Sequence, residues 1–119
     1  MSALLLTTDL MVASKASAAS VRSGVPLETS ATLEDLVGKA ARAPQNLVIL
    51  DLSMEALDVG HVVERLRAVM PPPRAIIAFG PHVHAARLAA AAEAGCDQVM
   101  SRGQFHAQMD QILTRAAGR

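Results

Sequence analysis

The amino-acid sequence predicts an α/β domain in which a parallel sheet is covered by helices on both faces. Three observations carry that prediction. Short apolar runs alternate with helical patterns five times along the chain. The clearest runs are apolar throughout, as strands buried on both faces require. Glycine and proline punctuate most of the joints between them. At 119 residues the chain fits one domain, residues 1–119, able to bury a core without metal or disulfide staples.

The elements follow in order. Ala3–Leu6 is a run of strand length. Leu10–Ser23 is rich in alanine and serine, only weakly periodic, and stops at Gly24. Val25–Glu28 reads as a short strand, which Pro26 confines to an edge or a strand start. Leu33, Leu36, Val37, Ala40 and Ala41 mark a helical face that opens on Thr32 and Asp35 and stops at Ala43-Pro44. Leu47–Leu50 is a continuous strand run. Val59, Val62, Val63, Leu66, Val69 and Met70 fall at helical spacing until Pro71-Pro72-Pro73 breaks it. Ala75–Phe79 is the fourth strand, His84–Ala94 an alanine-rich helix closed by Gly95, and Gln98–Met100 a short fifth strand. Phe105, Met109, Ile112, Leu113 and Ala116 form the clearest amphipathic helix. In such sheets ligand chemistry gathers at the carboxyl ends of strands. Here those ends carry Thr7-Thr8-Asp9 and Asp51.

Composition narrows the function classes. An apolar share of 51% excludes a disordered tail. Eleven basic residues against eleven acidic ones leave no net charge, so the footprint of a general nucleic-acid binder is missing. Cys96 is the only cysteine, so no internal disulfide forms and a reducing, cytoplasmic compartment is expected. The opening apolar run is too short for a signal peptide and has no basic residue before it. No apolar stretch approaches the ~20 residues that cross a bilayer. Neither a glycine-rich phosphate loop nor a Ser-His-Asp set is visible, which speaks against a small-molecule enzyme. The apolar half is largely alanine, 23 residues, with two Phe and no Trp or Tyr.

The stretch Asn46–Met54, followed by Leu57-Asp58, resembles the phosphoacceptor region of response-regulator receiver domains. In that family a strand ends in an aspartate, a Met follows three residues later, an apolar-Asp pair comes next, and the following helix ends in Leu-Arg. Asp51, Met54, Leu57-Asp58 and Leu66-Arg67 match those offsets. Ile76–Gly80 and Glu93-Ala94-Gly95-Cys96-Asp97 resemble the family's fourth strand and the end of its fourth helix. The resemblance spans the whole chain and is closest to the chemotaxis-regulator type. It implies a flavodoxin-like, doubly wound (β/α)5 fold with strand order 2-1-3-4-5, with Asp51 as the phosphoacceptor equivalent.

The departures from the family are specific. An acidic pair after the first strand would hold Mg²⁺ beside the acceptor, and the aligned residues are the neutral Thr7 and Thr8. Asp9 lies one residue further on and enters the pocket only with a shifted register. The backbone carbonyl of Ser53 falls where the family supplies another metal ligand. Gly80 replaces the switch hydroxyl, Arg102 replaces the lysine after the fifth strand, and Val99 the signalling aromatic. The pocket is therefore expected to comprise Thr7, Thr8, Asp9, Asp51, Ser53, Gly80 and Arg102. Asp9 and Asp51 are its only candidate carboxylate ligands for a metal, and Mg²⁺ binding is weak or lacking. The resemblance then implies an atypical pseudo-receiver, a protein–protein signalling module and not an enzyme. Its partner would be another signalling protein or a second copy, docked through the fourth helix, fifth strand and fifth helix.

Other readings stand beside this one. Asp51 and Asp9 could serve an active phosphoacceptor of a phosphorelay, with self-phosphorylation at Asp51 and Arg102 in the lysine's role. Asp51 could instead only cap the loop after its strand. Arg102 either pairs with Asp51 or is a solvated loop residue. An antagonist domain of the anti-sigma-factor type shares Asp51-Leu52-Ser53 with Asp58 and Gly60, but Val59 stands where that family has its serine. His61, His82 and His84 match no zinc spacing. Cys96 and the methionines Met54, Met70, Met100 and Met109 read as core filler. The alanines of His84–Ala94 suit packing on the sheet or against a partner. The last helical pattern closes a few residues before Arg119, so the chain is a standalone domain or a piece of a longer protein.

Overall fold

The computed structural model describes residues 2–118. Strands β1 (Ala3–Leu6), β2 (Leu27–Ser30), β3 (Leu47–Asp51), β4 (Ile76–Gly80) and β5 (Gln98–Ser101) alternate with five helices. These are α1 (Leu10–Ser23), α2 (Leu33–Arg42), α3 (Val59–Arg67), α4 (Ala85–Glu93) and α5 (Arg102–Gly118). All strand pairs are parallel and the sheet order is β2-β1-β3-β4-β5. This is the flavodoxin-like order expected from the sequence. Among the described residues no helix is long and apolar enough to cross a membrane.

The continuous apolar runs divide their side chains by strand periodicity. Ala3, Leu5, Leu47, Ile49, Ile77 and Phe79 point to one face, where they meet Val12, Ala16 and Ala19 of α1 and Phe105, Met109, Ile112 and Leu113 of α5. Leu4, Leu6, Val48, Leu50, Ile76 and Ala78 point to the other, against Leu36 and Ala40 of α2, four residues of α3, and Ala91 of α4. Phe79 and Phe105 stack at a centroid distance of 4.0 Å.

Several boundaries differ from the sequence reading, each for a local reason. Strand β2 begins two residues later than Val25, because Pro26 offers no N–H and only its carbonyl pairs, with Ala3 N at 2.9 Å. Strand β4 runs one residue further and includes Gly80, opposite Ser101 of β5. Helix α3 ends at Arg67, so Met70 falls out of phase and is 83% exposed, contrary to a core role. A residue before proline is pushed away from helical backbone, which favours that early stop. Met100 and Met109 are buried as expected. On α4 only Ala91 is buried, while Ala85, Ala86, Ala89, Ala90 and Ala92 face solvent. Most of the alanine there does not pack on the sheet.

Helix α5 starts at Arg102, three residues before the first periodic apolar position. Ser101 Oγ accepts from Gln104 N at 3.1 Å and Gln104 Oε1 accepts from Ser101 N at 2.9 Å. This reciprocal capping box starts the helix directly off β5 and puts Arg102 in its first turn. Gly24, at φ 74°, closes α1 as expected, and Thr32 caps α2 through Asp35 N.

Asp97 ties the loop after α4 to β4. Its Oδ2 accepts from Ile76 N at 2.7 Å while its own N–H donates to Ile76 O at 2.8 Å. Asp97→Ala leaves the N–H of buried Ile76 without a partner and is expected to cost about 1–3 kcal/mol. Urea unfolding measures it, and a loss under about 0.5 kcal/mol would contradict this role.

Candidate functional site

Three strand ends and the first turn of α5 converge at the carboxyl edge of the sheet. Asp51 ends β3 and is 1% exposed, so its carboxylate needs local donors. Its Oδ2 accepts from Thr7 Oγ1 at 2.6 Å. Its Oδ1 accepts from Ser53 N at 3.0 Å and Ser53 Oγ at 2.6 Å, in an Asx-type turn. Thr7 follows β1 directly, is buried, and accepts in turn from Asp9 N at 3.0 Å.

Asp9 is bound on both oxygens. Oδ1 caps α1, accepting from Met11 N at 2.9 Å and Val12 N at 3.3 Å. Oδ2 accepts from the Arg102 guanidinium at 2.6 Å. That hydrogen bond, followed by the one from Val12 N–H, holds the Asp9 carboxyl below the usual carboxylate value against the opposing effect of desolvation. Arg102 is thus neither paired with Asp51 nor simply solvated, the two placements open from the sequence. Its partner is Asp9, because α5 begins beside the β1–α1 loop.

The structure brings together Thr7, Asp9, Asp51, Ser53 and Arg102. Thr8 is exposed. Gly80 is buried at the end of β4, where an added Cβ would stand 3.1 Å from Leu52 Cβ and 3.8 Å from Leu88 Cδ2. A side chain at Gly80 would therefore press on Leu52, which would have to yield by a few tenths of an ångström. No group of three or more His, Cys, Asp or Glu is placed to hold a metal among the described residues. Cys96 is half-buried, and burial, with a lesser effect from Asp97, pushes its thiol up.

Two residues missed from the sequence border the site. Arg87 of α4 donates to Leu52 O at 2.8 Å, tying that helix to the segment just after Asp51. His106 lies one turn beyond Arg102, and its Nδ1 is buried without a hydrogen-bond partner. Burial first, then the cations of Lys15 and Arg102, hold its imidazole below the ordinary value, with Asp9 and Asp51 opposing. Its spacing of four from Arg102 is the only signal in the sequence, and it depended on knowing where α5 begins.

No protein-family model matches the chain, and no curated protein resembles it in sequence. Its fold is shared with solved structures. The receiver domain of a sensor histidine kinase from Pseudomonas aeruginosa, with magnesium coordinated in its active-site cleft, superposes with a TM-score of 0.79 at 19% identity. That match covers 99% of this chain and 98% of the other. A chemotaxis response regulator of Vibrio cholerae gives 0.78 at 16% identity, covering 98% of both chains. The beryllofluoride-activated NtrC4 receiver-domain dimer gives 0.75 at 16%, covering 96% of this chain and 97% of that one. The chain has the receiver-domain fold of two-component response regulators.

Two substitutions test the network. Thr7→Val removes a hydrogen bond to a buried carboxylate and is expected to cost about 1.5–3 kcal/mol in denaturant unfolding. Arg102→Ala is expected to raise the Asp9 titration midpoint towards its ordinary 3.8, read by carboxyl carbon NMR. Because the folded-state value is lowered, the Asp9 contribution to stability is complete above 3.8 and is lost as pH falls through the lower value. The acid limb of the stability curve should therefore flatten in Arg102→Ala.

Proposed function

We propose that this chain is an atypical receiver that works as a signalling interaction module, independent of Mg²⁺-dependent aspartyl phosphorylation. The carrying observation is the engagement of its two candidate metal ligands. Mg²⁺ needs near-octahedral oxygen ligands, normally including one or two protein carboxylates. Asp9 gives one oxygen to the α1 N-terminus and the other to Arg102. Asp51 gives both of its oxygens to Thr7 and Ser53. Thr7 and Thr8 add no negative charge, so the residues present do not fit the ion that the Pseudomonas structure holds.

A guanidinium supplies the positive charge at this edge, and it is carried by the fold itself. Arg102 balances Asp9 permanently, without a dissociable ligand. The missing side chain at Gly80, with Leu52 packed against it, removes the hydroxyl that would follow a phosphoryl group. Signalling then rests on what the surface docks. The face of α4, β5 and α5 offers the exposed alanines of α4 beside half-buried Val99, with little side-chain bulk to keep a partner away. The NtrC4 neighbour is a dimer, and the partner of this chain is another signalling protein or a second copy on that face.

Incubation with Mg²⁺ and acetyl phosphate, or with beryllofluoride, tests the reading. The expected outcome is an unchanged intact mass with acetyl phosphate and unchanged amide resonances around Asp51 with beryllofluoride. Stoichiometric modification that Asp51→Ala abolishes would establish the active phosphoacceptor instead.

A further inference from the structure

The opposite, amino-terminal edge of the sheet holds a cavity that the site above does not use. Its volume is about 420 Å³, within the ordinary range of small-molecule sites. It opens between the start of β4 and the C-terminal half of α5. The cause lies in the composition. Near the other edge, Phe105 of α5 stacks on Phe79 and fills the space. Two turns and more further along, α5 lines the cavity with Ile112, Arg115 and Ala116 beside Leu47, Ala75 and Ile77. The apolar surface open to the cavity comes mainly from half-buried Ala75 and Ala116, with the edges of the buried Ile77 and Ile112 behind them.

The rim is cationic. Arg74 stands on one side, before β4, and Arg115 on the other, in α5. Four other arginines, Arg22, Arg65, Arg67 and Arg102, pair with carboxylates. Arg74 and Arg115 have no ion-pair partner among the described residues, and no carboxylate lines the cavity. Asn46 closes one wall with both ends of its amide occupied, donating to Ala116 O at 3.1 Å and accepting from Ser2 N at 3.3 Å.

We propose that this cavity binds a small amphipathic anion. The anionic head is held by Arg74 and Arg115, and an alkyl or aryl body lies on Ala75 and Ala116 against the edges of Ile77 and Ile112. Two unpaired guanidiniums over an apolar floor satisfy the two halves of such a ligand together, and neither half alone uses the whole site. A guanidinium fork matches a carboxylate in particular.

Decanoate is the probe, with methyl NMR of Ile77 and Ile112 as the readout. Saturable shifts of those methyls are expected with a Kd below about 1 mM, in keeping with the modest energy per atom of small ligands. Uncharged decanol, and decanoate with the Arg74→Ala/Arg115→Ala variant, should each bind at least about tenfold more weakly, the loss of charge-assisted hydrogen bonds. Ala116→Phe, which fills the cavity, should abolish the shifts. Absence of saturation by millimolar decanoate overturns the proposal, as does decanol binding equally well or a double variant that binds undiminished. If the double variant does not fold, the decanoate–decanol comparison on the unaltered chain still decides.

Discussion

Asp51 is a carboxylate with 1% of its surface exposed, at the end of the central strand of a sheet covered on both faces. A charge placed there is tolerated only where the protein supplies the donors that water cannot. The surrounding residues answer that demand in sequence. The single hydroxyl proton of Thr7 goes to Asp51, so the Thr7 oxygen can only accept elsewhere, and it takes the N–H of Asp9. That contact holds Asp9 at the start of α1, where one oxygen caps the helix and the other faces the first turn of α5. The Ser101–Gln104 capping box sets that turn and so brings Arg102 to Asp9. A buried charge on β3 is in this way linked to the packing of two helices on one face.

Composition acts through packing in two ways. On α1 the small side chains Ala16 and Ala19 are fully buried and let the helix lie close to the sheet. On α4 the same residue type is exposed, because only Ala91 and half-buried Leu88 turn inward. Small residues on a solvated helix leave its backbone close to the surface. The scarcity of aromatics has its own consequence. Where Phe79 and Phe105 meet, the layer is filled, and beyond them the cavity between Arg74 and Arg115 opens.

The receiver fold here carries its own polar network at the strand ends. Asp9 is balanced by a guanidinium within the chain, and Leu52 packs closely against Gly80 at the end of β4. Arg87 gives α4 a direct bond to the carbonyl next to Asp51, a connection that passes through backbone and bypasses any switch hydroxyl.

The parallel sheet was legible because burial on two faces demands continuous apolar strands, while its order came from the resemblance of Asn46–Met54 and Glu93–Asp97 to receiver domains. Asp51 was legible for the same reason, as the charged residue that ends the most apolar run. The caps at Thr32 and Gly24 followed from local chemistry alone. Residues whose role depends on a distant neighbour were not legible. Arg102 meets Asp9 across 93 positions, His106 is placed by where α5 begins, and Arg87 by how α4 leans on the β3 end. Local periodicity determines which residues are buried and on which face. Only the packing of the elements decides which charges meet, because side chains far apart in sequence come within hydrogen-bond reach through the folded chain and not through its spacing.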